Sequence, residues 1–345
     1  MLAPAVRSCP SLVIVLLLVG LSLTACRPVA NEEVVVYTAL DQEFSESHFD
    51  TYRDGTGVDV VAKFDTEANK TVGLTEAILA EKDRPRCDVF WNNEILNTLR
   101  LQKAGLLAPY HPQHEDEYPA TFRSADGYWF GFAARARILL VNTDLLAEGE
   151  RPTSIFDLAD EKWQGQGGYA KPLFGTTATH AAVLFAELGD EKAKEFFTRL
   201  QANAKMLPGN KQVAQAVSSG EIAFGLTDTD DAIVEIQSGR PVTIVYPDQG
   251  DDQLGTLFIP NTLAIIKGGP NPEAAQKLVD YLLSAEVETD LANGPSAQIP
   301  LNTTLDIPLQ VESPQTVQPM EVDWEAAVDK WDSAAEFLRE KILTN

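Results

Sequence analysis

Phe130-Gly131-Phe132-Ala133-Ala134-Arg135-Ala136-Arg137-Ile138-Leu139-Leu140-Val141-Asn142 reads as a single strand, and an unusually long one. Small and large residues alternate along it. Arg135 and Arg137 lie two apart and therefore share one face. A strand of this length suits a crossover between two lobes. Outward from it the chain alternates strands with helices. Toward the N-terminus come a buried-strand signature at Val34–Thr38, a helical segment to about Arg53 and a strand at Gly57–Phe64. A helix over Glu67–Glu81, a strand at Asp88–Trp91 and a helix ending at Gly105 follow. Toward the C-terminus, helices are expected over 179–188 and 191–202, with strands at Glu221–Phe224 and Val242–Tyr246. The return strand is Gly255–Ile266. Pro272 opens a helix to Leu283, and an amphipathic helix closes the chain from Trp324 to Ile342. This alternation predicts an α/β fold with a mostly parallel sheet, in two lobes joined by two crossover strands.

Bulk properties narrow the function. The chain has 345 residues, enough for two lobes, and a composition (44% hydrophobic, 23% charged) typical of a folded domain. A net charge of −24 argues against nucleic-acid binding, because phosphates would be repelled. At the N-terminus Arg7 precedes an apolar run, Leu12–Gly20, that is short for a membrane span and suits a secretory signal. Leu23-Thr24-Ala25-Cys26 then resembles a bacterial lipobox, which implies cleavage before Cys26 and lipidation of its thiol. Residues 1–25 are expected to be a signal peptide and 26–32 a tether. With Cys9 removed and Cys26 the anchor, Cys87 is left without a disulfide partner and reads as a small buried hydrophobe.

The acidic stretch Gly225-Leu226-Thr227-Asp228-Thr229-Asp230-Asp231-Ala232-Ile233 poses the functional question. It places three carboxylates within four residues, next to an apolar strand. Like charges this close repel one another, so they are solvated, cap the following helix, or face a cation or a set of donors. Arg135 and Arg137 could clamp a carboxylate or phosphate bidentately. Thr176-Thr177-Ala178-Thr179 precedes a helix, where hydroxyls and free amides favour anions. No nucleophile elbow or phosphate loop is present. His48, His111, His114 and His180 lack metal-type spacing and are expected at the surface.

Several stretches, in their order and spacing, resemble the solute-binding proteins of ABC importers, in particular the group related to ferric-ion-binding periplasmic proteins. They are Val34–Ala39, Cys87–Glu94 with Ala104–Leu107, Arg135–Arg137 running into Val141-Asn142-Thr143, Gly220–Leu226, and Ile259-Pro260-Asn261 leading to Asn271–Ala275. The resemblance covers nearly the whole mature chain. It implies the type II periplasmic-binding-protein-like fold, with lobe 1 at 33–134 plus 259–290 and lobe 2 at 135–258 plus 291–345. It also implies a monomer without enzymatic activity or catalytic cofactor, partnered by a permease and its ATPase, outside the cytoplasmic membrane and anchored at Cys26.

The sequence departs from that group at the metal. Its histidine position holds Asp41, its glutamate falls on Glu94 (Asn93 with a one-residue slip), and its two tyrosines are Asp230 and Asp231. Oxygen donors still suit a hard cation. The resemblance therefore implies iron(III) or a related cation held by Asp41, Glu94, Asp230 and Asp231 in the interlobe cleft, with Arg135 beside it. The alternative is a phosphorylated or zwitterionic organic solute bound through Arg135, Arg137, Thr176, Thr177 and Asp228. A secreted carboxylate-dependent hydrolase is more distant, since adjacent aspartates in a strand would face opposite ways.

Overall fold

Strand β5 (Phe130–Asn142) is buried at every one of its 13 positions. Its N-terminal half pairs antiparallel with β10 (Phe258–Ile266), and its C-terminal half with β8 (Phe224–Asp228) and β9 (Val242–Val245). Around it the sheet runs in the order β2 (Asp59–Phe64), β1 (Glu33–Thr38), β3 (Val89–Asn92), β10, β5, β8, β6 (Gly167–Ala170), β7 (Lys205–Leu207), while β4 (Leu107–Ala108) joins β10. The outer strands pair in parallel and the central ones antiparallel. One strand thus belongs to two groups of strands, as the length of its apolar run predicts. The computed structural model describes residues 1–2, 32–65 and 71–343. Glu32–Asn345 forms one compact unit. Cys26 and the expected signal cleavage site lie outside the described residues, as does the start of the helix expected from Glu67.

Where β5 meets β10 the ladder is irregular, with a register shift between Ile259 and Asn261. Pro260 lies at this point. Proline has no N–H for the ladder, so inside a central strand it is confined to bulges. Across from it Ala133 takes a left-handed φ of 43°, and Gly131 packs so tightly that a Cβ would stand 2.8 Å from the Phe122 carbonyl oxygen.

Ten α-helices among the described residues cover the sheet. Those that matter for the site are α1 (Gln42–Thr56), α3 (Leu96–Lys103), α4 (Gly175–Leu188), α6 (Asn210–Ser218), α7 (Thr229–Gln237), α9 (Ala285–Asn293) and α10 (Trp324–Phe337). α1 stops where Gly57, at φ 77°, returns its N–H to the Arg53 carbonyl. α10 packs against both α3 and α4, and its Ala327, Val328 and Trp331 share a buried cluster with Leu96, Leu99 and Ala182. Each such fully buried large side chain contributes about 1.5–3 kcal/mol relative to an exposed one.

Three sequence expectations are corrected here. Glu221–Phe224 is not a strand: Glu221–Ala223 is a bend, and β8 begins at Phe224 and runs to Asp228. The threonine run does not precede its helix, since α4 starts at Gly175 and contains Thr176, Thr177 and Thr179. His48 and His180 are buried rather than superficial. His48 packs near Trp91 and His180 lies inside α4, with burial and then Arg137 pushing its imidazole well below the usual range. His111 and His114 do sit at the periphery, paired with Glu115 and Glu117.

Candidate functional site

A cavity of about 650 Å³ is lined by residues from several elements, many of them at helix starts and strand ends. α1, α4, α6 and α7 all contribute first-turn or capping residues: Asp41 and Gln42, Thr176 and Thr177, Asn210, and Asp228, Asp230 and Asp231. The first turns of four helices therefore border this space. Six acidic side chains against three basic ones line the cavity, so its lining is acidic overall.

Asp228 ends β8 and occupies the capping position of α7, but its carboxylate does not cap the helix. One oxygen accepts from Arg137 at 2.7 Å, the other from Thr176 at 2.5 Å and from Asn210 at 2.9 Å. Arg137, fully buried, also donates to the Asn210 side-chain oxygen Oδ1 at 3.0 Å. Arg137 does not line the cavity. It and Asp228, whose carboxylate does line the cavity, form an ion pair almost sealed from solvent at the cavity wall.

Asp230 and Asp231 lie in the first turn of α7, not in a strand. With Asp228 they bring carboxylate oxygens to within 4.8 Å of one another, a spacing that can hold a metal ion. The Arg135 Nε stands 3.3 Å from Asp230 Oδ2, and Arg135 also donates to the side chain of Asn261 at 3.3 Å. Burial alone would depress the Arg135 guanidinium; Asp230, Asp228, Asp41 and Asp231 outweigh it and hold the group above its usual value. Asp41, from the opposite wall, thus belongs to the same field.

Glu94 does not join the cavity lining; its neighbour Asn93 does. The Glu94 carboxylate turns back on its own chain and accepts from the N–H groups of Leu96 (2.6 Å) and Asn97 (2.9 Å) at the start of α3. It also accepts from Asn92 at 2.8 Å and, across to α4, from Thr179 at 2.7 Å. With every oxygen engaged and the residue fully buried, it is a capping group rather than a metal ligand. The Asn93 carboxamide oxygen is buried at the wall without a partner among the described residues. Sequence reasoning passed over Asn210, although an Asn after Pro208-Gly209 at a helix start invites a polar role. It also missed Lys171 and Lys211 at the rim, which carry no local motif.

The model for bacterial extracellular solute-binding proteins matches residues 97–330. The chain belongs to that family. Among its relatives this solute-binding protein is 26% identical over 294 residues to iron uptake protein A1 of Synechocystis, covering 81% of this chain and 80% of that one. Its fold matches iron-bound HitA from Pseudomonas aeruginosa with a TM-score of 0.81 and 23% identity, over 90% and 99% of the two chains. It matches the periplasmic binding protein AfuA from Actinobacillus pleuropneumoniae, solved with fructose-6-phosphate, with a TM-score of 0.79 and 23% identity over 91% and 99%. The type II periplasmic-binding fold is thereby established for this solute-binding protein. Its task is to hold a solute, not to turn one over. Among the described residues no helix is long and apolar enough to cross a membrane.

Proposed function

We propose that the protein captures iron(III), or a related hard cation, in the cavity between its two groups of strands and delivers it to an ABC permease and its ATPase. The observation that carries this is the convergence of the Asp228, Asp230 and Asp231 carboxylates within 4.8 Å of one another, with Asp41 coupled to the same guanidinium. Asp41, Asp230 and Asp231 supply the charge, Asn93 a neutral oxygen, and Asp228 fixes the α7 start through Arg137. Hard cations take such oxygen shells. Arg135 offsets excess negative charge or holds an anion beside the metal. Similarity to iron uptake protein A1 supports the same reading. The lobes are proposed as 33–134 plus 259–290 and 135–258 plus 291–345. The last segment touches both, since Ile299 bridges Ala134 and α10 packs on α3 and α4. The protein is proposed to act as a monomer, tethered outside the cytoplasmic membrane through a lipid on Cys26; Cys26→Ala would then be released from membranes.

A phosphorylated solute is the second reading, favoured by the four helix starts together with Arg135, Lys171 and Lys211 in the cavity lining. Calorimetry on metal-stripped protein separates the two. Tight binding of iron(III) presented as its citrate chelate, weakened by Asp231→Asn, is expected. Tight binding of a sugar phosphate with no response to iron(III), manganese or calcium would overturn the cation reading.

A further inference from the structure

Glu288, on α9, is fully buried away from the cavity. Its carboxylate accepts three backbone N–H groups: Ala133 at 2.5 Å, Leu301 at 3.0 Å and Asn302 at 2.6 Å. Ala133 is the β5 residue in the left-handed conformation at the bulge. For a residue with a Cβ that conformation costs of the order of 1–3 kcal/mol and persists only where its surroundings hold it. The bonding continues from there. The Ala133 carbonyl accepts from the Asn261 side chain, Asn261 accepts from Arg135 at 3.3 Å, and Arg135 meets Asp230 at 3.3 Å. An unbroken path leads from α9 to the wall of the cavity.

We propose that Glu288 is a positioning residue for the solute site: its carboxylate holds the β5 bulge at Ala133 and, through Asn261, sets where Arg135 meets Asp230. A carboxylate serving only the 301–302 turn would need no bond to β5, yet one of its oxygens is shared between Ala133 and Leu301. Bulges beside binding sites re-aim side chains, and this one lies two residues from Arg135. Burial pushes the Glu288 carboxyl up to about 7, against the pull of the N–H groups of Leu301, Ala133 and Asn302. Protonation turns one of its oxygens into a donor and so changes how the carboxyl meets the Ala133, Leu301 and Asn302 N–H groups.

The groups facing Glu288 leave it the titrating member. Tyr118, from the segment before β5, is pushed above its usual range by burial and then by Glu288 itself. Glu117, held low by Asn302 and His114, accepts from Asn302 at 2.8 Å. On α9, Glu286 and Asp290 couple to Tyr281 of the preceding helix. β5 brings only Arg135 and Arg137, while β10 and residues 297–302 carry no ionisable side chain.

The positioning role holds whatever the solute; its effect on affinity rests on the cation reading. The test follows the Arg135 Nε–H resonance, identified by its loss in Arg135→Lys, in ligand-free protein across the pH window around 7. Wild type should titrate with a midpoint of about 7. Glu288→Gln should be flat, and so should Asn261→Ala, even though the thermal stability of Asn261→Ala still titrates. A wild-type resonance that does not move, or an Asn261→Ala resonance that titrates like wild type, would overturn the proposal, and the latter decides it even if Glu288→Gln does not fold. In a second readout Glu288→Gln should bind iron(III) citrate roughly tenfold more weakly. Unchanged affinity in a variant that does bind iron counts against positioning. No iron binding by wild type, with the resonance still titrating, removes the cation reading and leaves the positioning role intact.

Discussion

Arg135 and Arg137 stand two residues apart on one face of β5, and both are buried, yet they do different work. Arg137 meets a single committed carboxylate, Asp228, backed by Thr176 and Asn210. Arg135 meets Asp230 at the longer distance of 3.3 Å and feels four carboxylates, none of them its exclusive partner. The difference comes from what stands opposite. The end of β8 presents Asp228 at the register of Arg137, whereas Arg135 lies opposite Ile259 of β10 and reaches out toward the first turn of α7. Strand alternation makes the two arginines equivalent; only the three-dimensional neighbours separate a committed ion pair from a charge that lines the cavity.

The comparison can be broken by experiment, and the largest effect is expected on the sealed pair. Asp228→Ala leaves Arg137 buried without its counter-charge and should cost roughly 3–5 kcal/mol of stability, measured by urea unfolding. Unchanged stability would show that the pair is not sealed.

The next effect belongs to the support beneath Arg135. The Glu288 carboxyl is raised in the folded chain, from 4.5 to about 7. Its stabilising contribution is therefore complete below 4.5 and lost as the pH rises through about 7. Relative to Glu288→Gln, wild type should gain stability on acidification across that window, by up to about 3 kcal/mol at 1.36 kcal/mol per pH unit. Parallel melting profiles for the two proteins would contradict this.

Smaller changes are expected at the cavity itself. Asp230→Asn should weaken iron(III) citrate binding roughly hundredfold while shifting unfolding by less than about 1 kcal/mol. Arg135→Met should weaken it about tenfold, some 1.4 kcal/mol, and calorimetry reads both. A stability loss at Asp230 as large as at Asp228 would erase the distinction between the two arginines.

The legibility of these features in the sequence followed the physics that produces them. β5 was readable because its whole length is buried, so its composition has no polar interruption but the arginines. β6 was not, since Gly167-Gly168-Tyr169-Ala170 has no apolar pattern. Its glycines are there because a Cβ at Gly168 would stand 2.5 Å from Ile222 Cδ1. α9 was missed because a glutamate at its centre reads as solvent-facing, while the amides that hold Glu288 come from β5, 155 residues away, and from the turn 13 and 14 residues on. The acidic stretch was assigned to the cleft through the family resemblance, but that Asp228 is the carboxylate committed to Arg137 could not be read, because that depends on the register of β8 against β5. Glu94 and Asn93 differ by one residue, and only the turn-back of the Glu94 side chain onto α3 decides which one reaches the wall.

α10 lies against both α3 and α4, and its two flanks are fastened by exposed ion pairs. Lys103 of α3 meets Asp329 at 2.5 Å and Glu325 at 3.3 Å, and Asp190, just past α4, meets Lys330 at 2.7 Å. Exposed pairs contribute only about 0.2–1 kcal/mol each and weaken as salt screens them. The back of the molecule is thus a soft spring whose stiffness the medium sets. Raising the ionic strength should therefore weaken the hold of α10 on its two flanks while leaving the sealed Arg137–Asp228 pair untouched.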